Sequence, residues 1–141
     1  MTRVVKAKRL LVLVTCLAVV SGCFWRSYGG RMRTHTQLLV SFARKTGDLV
    51  AVKRFTAQNL PELTYPLERA TTFAEETRRH ASEAPDSLVA FEALLARYRE
   101  LVLLADRTRQ ESDAEGAVPS AVVAVVTAAD AVEAALVGEG R

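Results

Sequence analysis

Cysteine and histidine are scarce in this chain, with two of each among 141 residues. The histidines, His35 and His80, fall on different segments, and no Cys-x-x-Cys-His or Glu-x-x-His occurs. The ligand clusters that zinc, haem or a di-iron centre require are therefore missing. A Met32/His80 haem pair is set aside too, because both residues read as exposed polar-face or helix-end positions. Glu68, Glu75, Glu76, Glu92 and Glu100 mostly stand beside arginines, as in Glu68-Arg69 and Arg97-Tyr98-Arg99-Glu100, and read as solvated helix faces. Glycine is sparse, so Gly29-Gly30 and the lone Gly47 build no phosphate loop, and nothing brings a Ser/His/Asp set together. The expectation is a protein with no cofactor and no metal that is not an enzyme.

Net charge is also small once the N-terminus is set aside. The chain has 19 Lys+Arg against 16 Asp+Glu, but Arg3, Lys6, Lys8 and Arg9 supply four of the cations and leave 15 against 16. That balance excludes the basic footprint of a nucleic-acid binder, and no nucleic acid is expected as a partner. The remaining charge is uneven: Phe24 to Arg54 carries seven basic residues and the single Asp48. Basic residues beside an anionic leaflet contribute about 1 kcal/mol each, so this stretch is a candidate for lying near phospholipid headgroups. The alternative is a solvated helix face.

What is present is concentrated at the start. A basic n-region, Arg3 to Arg9, precedes an uncharged run from Leu10 to Val20, in the length range of a secretory signal and shorter than the roughly 20 residues of a membrane span. It closes on Val20-Ser21-Gly22-Cys23. These four residues resemble the lipobox of bacterial lipoproteins. The resemblance covers residues 1–23 and implies a diacylglycerol thioether on the Cys23 sulfur, cleavage between Gly22 and Cys23, and acylation of the new amino terminus. Two or three acyl chains, at about 0.8 kcal/mol per buried methylene, anchor stably where one does not. In that family Asp after the cysteine retains the protein in the inner membrane. Here the position is Phe24, which implies an outer-membrane location facing the periplasm, or the cell membrane where there is only one.

Residues 1–22 are thus read as signal peptide, 23–30 as a lipidated tether jointed at Gly29-Gly30, and 31–138 as one helical domain. Phe24, Trp25 and Tyr28 of the tether suit the headgroup zone, or else pack back on the base of the domain. With Cys16 removed and Cys23 acylated no thiol is left for a disulfide, so stability must come from packing.

Four segments carry helical periodicity. The first, Arg31 to Gln58, has Leu38, Phe42, Lys45, Leu49 and Val52 at spacings of four and three, with Leu39, Val50 and Phe55 widening the stripe and Lys45 interrupting it. Gly47 marks a close helix contact, a bend or a break. Asn59 reads as the N-cap of the second helix with Glu62 completing a capping box, and Pro66 suggests a restart near Thr64, followed by a seam of Leu67, Ala70, Ala74, Thr77 and Ala81 that Phe73 broadens. The third carries Leu88, Phe91, Leu95, Tyr98, Val102 and Ala105. An acidic loop, Gln110 to Gly116, leads to Pro119 and a last stripe of Val122, Val125, Ala129, Val132 and Leu136, whose uncharged part is too short to cross a bilayer. Stripes without strand-like alternation predict an all-α, small antiparallel bundle of about four helices. A helical hairpin completed by homodimerisation is the alternative.

The functional expectation is a membrane-anchored accessory or adaptor protein that binds another envelope protein through a helix face. A small-molecule-binding or sensory bundle is the competing expectation. The two differ in whether the domain offers an exposed apolar groove or a solvent-connected cavity lined by apolar side chains.

Overall fold

A computed structural model describes the backbone of residues 2–141 and the side chains of residues 27–141. The lipobox side chains Val20, Ser21, Gly22 and Cys23 lie outside the described residues, as do Phe24 and Trp25. The chain divides into two units, Met1–Arg31 and Met32–Arg141. Four α-helices run in the order α1 (Thr2–Ala51), α2 (Asn59–His80), α3 (Asp86–Thr108) and α4 (Val118–Gly138), with a 3-10 turn at Ser112–Ala117 before α4. No strand occurs among the described residues.

In the first unit α1 runs through Gly29 and Gly30 where a flexible joint was expected. Tyr28, for which headgroup placement and burial against the domain were both expected as alternatives, is fully buried.

The second unit is the up-and-down bundle. Lys45 near the end of α1 pairs with Glu62 at the start of α2, and Arg78 at the end of α2 pairs with Glu92 near the start of α3. Ser87 at the start of α3 meets Glu139 just beyond α4, and Arg33 on α1 meets Glu133 late in α4. Each consecutive pair is therefore antiparallel, and α1 and α4 close the ring. At the centre Phe73 and Phe91 meet edge to face, with centroids 5.7 Å apart, and His35 stacks on Phe73 at 5.0 Å. Such pairs add about 0.5–1.5 kcal/mol beyond area burial.

The stripes of α2, α3 and α4 lie where periodicity places them. Ala70, Phe73, Ala74 and Thr77, then Leu88, Phe91, Leu95, Tyr98 and Ala105, then Val125, Ala129, Val132 and Leu136 are all buried. The α1 stripe is rotated. Its buried line is Met32, Thr36, Leu39, Ala43, Thr46 and Val50, a strict alternation of four and three. Of the expected stripe, Leu39 and Val50 fall on this line, while its centre lies to one side, with Leu38 at 40% exposure and Val52 at 61%. Met32 is thus a core residue rather than an exposed one. Threonine hides in this seam because its hydroxyl can serve its own helix: Thr46 Oγ1 donates to the Phe42 carbonyl at 2.8 Å.

One open local reading is resolved, for Gly47 as a close helix contact, and two are corrected, at Asn59-Glu62 and at Pro66. Gly47 neither bends nor breaks α1, since a Cβ there would sit 3.1 Å from Val122 Cγ2, so the glycine admits α4 at close range. Asn59 does not cap α2; its Oδ1 accepts from the Thr56 backbone N–H at 2.8 Å and closes the preceding turn. Glu62 turns to Lys45 instead of a capping box. Pro66 sits buried inside an unbroken α2, which gives up one ladder hydrogen bond there.

The first helix ends in a Schellman arrangement. The Arg54 N–H donates to the Leu49 carbonyl at 2.8 Å and the Lys53 N–H to Val50 at 3.0 Å. Lys53 takes the left-handed conformation, φ 57°, that glycine usually supplies.

By length and composition alone Ser112–Gly138 is apolar and long enough to cross a membrane, beyond what its uncharged portion suggested. In the bundle its stripe is buried, and Asp130 and Glu133 border a groove beside α1.

Candidate functional site

The α1–α4 contact leaves an open groove of about 730 Å³. Its α1 wall is a run of small and polar residues at helical spacing, Gln37, Ser41, Arg44 and Asp48, with Thr36 and Val40 beside it. Ala129, Asp130 and Glu133 of α4 form the opposite wall. Small residues at the seam, Gly47 and Ala129 among them, let the two backbones approach, and the groove opens where longer side chains would otherwise meet.

The charges along the groove divide into satisfied and free. The Arg33 Nε donates to Glu133 Oε2 at 2.9 Å, and its terminal nitrogen donates to the Arg141 carbonyl at 2.6 Å. Lys45, the residue that broke the expected stripe, lies at 3.2 Å from Glu62 and 5.9 Å above the Phe42 ring. Both members of that pair are more than half exposed, so it contributes no more than about 1 kcal/mol. Among the described residues Arg44, Asp48 and Asp130 make no ion pair and no side-chain hydrogen bond. The Thr36 hydroxyl, on the groove side of the seam, is buried with no hydrogen-bond partner. Pairing of Arg33 and Lys45 to acids also reduces the positive stretch of α1 as a headgroup-binding surface.

Elsewhere several titratable groups serve the fold. The Tyr98 hydroxyl donates to the Leu63 carbonyl at 2.7 Å, and burial pushes the phenol well above its ordinary range. Glu92 is held by Arg78 and Glu100 by Arg97. His35 belongs to the aromatic core, while His80 ends α2 in the exposed basic turn Arg78-Arg79-His80. Among the described residues no group of three His, Cys, Asp or Glu is placed to hold a metal ion.

Sequence reasoning missed the groove because it depends on which α1 face turns inward, and the threonine seam disguised that face. The available signal was the 4-3 run from Met32 to Val50, legible only when Thr and Ala are counted as core formers. No family model, no curated protein and no solved structure matches this chain.

Proposed function

We propose that this chain is a lipid-anchored, non-enzymatic accessory protein of the bacterial envelope, stationed at the membrane through acylated Cys23. There it holds another envelope protein in the α1–α4 groove. The observation that carries the reading is the groove itself: polar where an apolar groove was expected, it is open at the surface and rimmed by free charges. A small-molecule site would instead favour an apolar pocket with few polar groups. Acyl chains on Cys23 would restrict the domain to the membrane surface, where even a modest groove affinity is raised by local concentration.

The anchor and the partner are tested together. Cys23→Ala should move the protein from the membrane fraction to the soluble fraction and abolish palmitate labelling, with helicity unchanged by circular dichroism. Crosslinking in whole cells should then recover a protein partner from the wild type and much less from the variant. Palmitate labelling that persists in Cys23→Ala would refute the assignment of the thiol.

A further inference from the structure

We infer that this chain pairs with a second copy of itself through the face between α1 and α2, about a two-fold axis that runs along the helices. The pairing is independent of the adaptor reading: of the residues lining the α1–α4 groove only Lys45 takes part, so the groove stays open.

Two short stripes build the face. Leu38, Phe42 and Lys45 follow one another on α1 at spacings of four and three, and Glu62, Tyr65 and Arg69 follow on α2 at three and four, so each set shares one side of its helix. Lys45 Nζ lies 3.2 Å from Glu62 Oε2, which puts the stripes side by side and fixes their register. The two helices are antiparallel, and both rise about 1.5 Å per residue. Phe42 and Tyr65, each three residues from the bridge, are therefore level, and so are Leu38 and Arg69, each seven residues from it.

Much of this face is open. Leu38 is 40% exposed and Tyr65 58%, and among the described residues Tyr65 is the only Phe or Tyr in the exposed class. Phe42 is half-buried. Each ring carries a cation of its own helix, Lys45 over Phe42 and Arg69 over Tyr65, both 5.9 Å from the centroid. Aromatic side chains and arginine in one patch are what protein interfaces select.

Symmetry and charge identify the occupant. A two-fold axis along the helices, midway between the stripes, makes each α1 residue face the level α2 residue of the second copy. Lys45 then faces the second copy's Glu62 and Glu62 faces its Lys45, which closes a ring of four charges of alternating sign. Phe42 meets the second copy's Tyr65 as an aromatic pair, and Leu38 meets the methylene stem of its Arg69. An axis across the helices at the same level would instead set Lys45 on Lys45 and Glu62 on Glu62. Charge therefore selects the parallel pair. Both α1 helices then run in the same direction, as two chains anchored in one leaflet require. Anionic lipid finds no such match, because Glu62 offsets Lys45 at the centre of the face.

The test is photocrosslinking of the full chain in intact cells, with a benzophenone amino acid in place of Tyr65. The expected product is a covalent dimer of the chain, joined from position 65 to the peptide around Phe42. Lys45→Glu and Glu62→Lys should each lower its yield by about tenfold or more with helicity unchanged. The two changes in one chain should restore it, because each reversed copy then meets another reversed copy, whereas an unrelated partner would keep its original charges. A product joining position 65 to another protein or to lipid would overturn the inference, as would a dimer joined to α2 of the second copy. Yield unmoved by either reversal, no recovery in the double variant, or no product at all would overturn it equally.

Discussion

Glu139, past the end of α4, caps the start of α3 through Ser87. One carboxylate oxygen accepts the Ser87 backbone N–H at 2.9 Å and the other accepts the Ser87 hydroxyl at 2.8 Å. Ser87 is fully buried and α3 has no side-chain cap of its own. The carboxylate therefore satisfies a backbone donor that has no helical partner and meets the positive end of the helix dipole. It also ties the chain terminus to the middle of the sequence. Glu139→Gln should keep the geometry and lose the charge, while Glu139→Ala leaves buried donors unmet. Expected losses are about 0.5–1 and about 1–3 kcal/mol, read from denaturant midpoints with unchanged slope.

Lys53 occupies a position made for glycine. The left-handed conformation costs an L residue about 1 kcal/mol or more, and the side chain is exposed. Lys53→Gly should raise stability by about 0.5 kcal/mol, since part of the relieved strain is offset by the freedom glycine has when unfolded. A fall in thermal midpoint would show that the lysine side chain has a role not visible in its contacts.

Gly47 offers a test whose sign reverses with background. Alanine there gains about 1 kcal/mol of helix propensity, but its methyl would press on Val122 at 3.1 Å, and overpacking costs about 1–3 kcal/mol. Gly47→Ala alone should be neutral to destabilising. In a Val122→Ala background the same change should stabilise, and the double-mutant cycle measures the coupling.

The buried Tyr98 phenol gives the bundle an alkaline dependence. Its raised pKa means the folded state keeps the proton that the unfolded chain releases near pH 10. The contribution is thus fully present below pH 10 and is lost as pH climbs above it. Tyr98→Phe removes the bond to the Leu63 carbonyl and should cost about 1 kcal/mol at pH 7. The gap between wild type and variant should narrow above pH 10. A gap that widened there would contradict this sign.

Legibility in the sequence followed side-chain chemistry. In α3, large apolar residues mark one face without ambiguity, and Leu88, Phe91, Leu95, Tyr98 and Ala105 are buried as their spacing requires. The α1 face misled because Thr36, Ala43 and Thr46 are small or polar while Leu38 and Val52 are apolar yet largely exposed. Asn59 carried a strong capping signature, but its carboxamide served the turn before it. The Glu139 cap joins residues 52 positions apart, and the groove charges sit on helices far apart in sequence. Neither follows from local pattern, since both need the register of α1, α3 and α4 first.

Membrane stationing depends on how the native polypeptide is processed and acylated. Intact-mass analysis of the protein extracted from membranes should give a chain beginning at Cys23 and heavier than its sequence by the mass of two or three acyl chains with their glyceryl linker. A chain that begins at Met1 with an unmodified cysteine would contradict it.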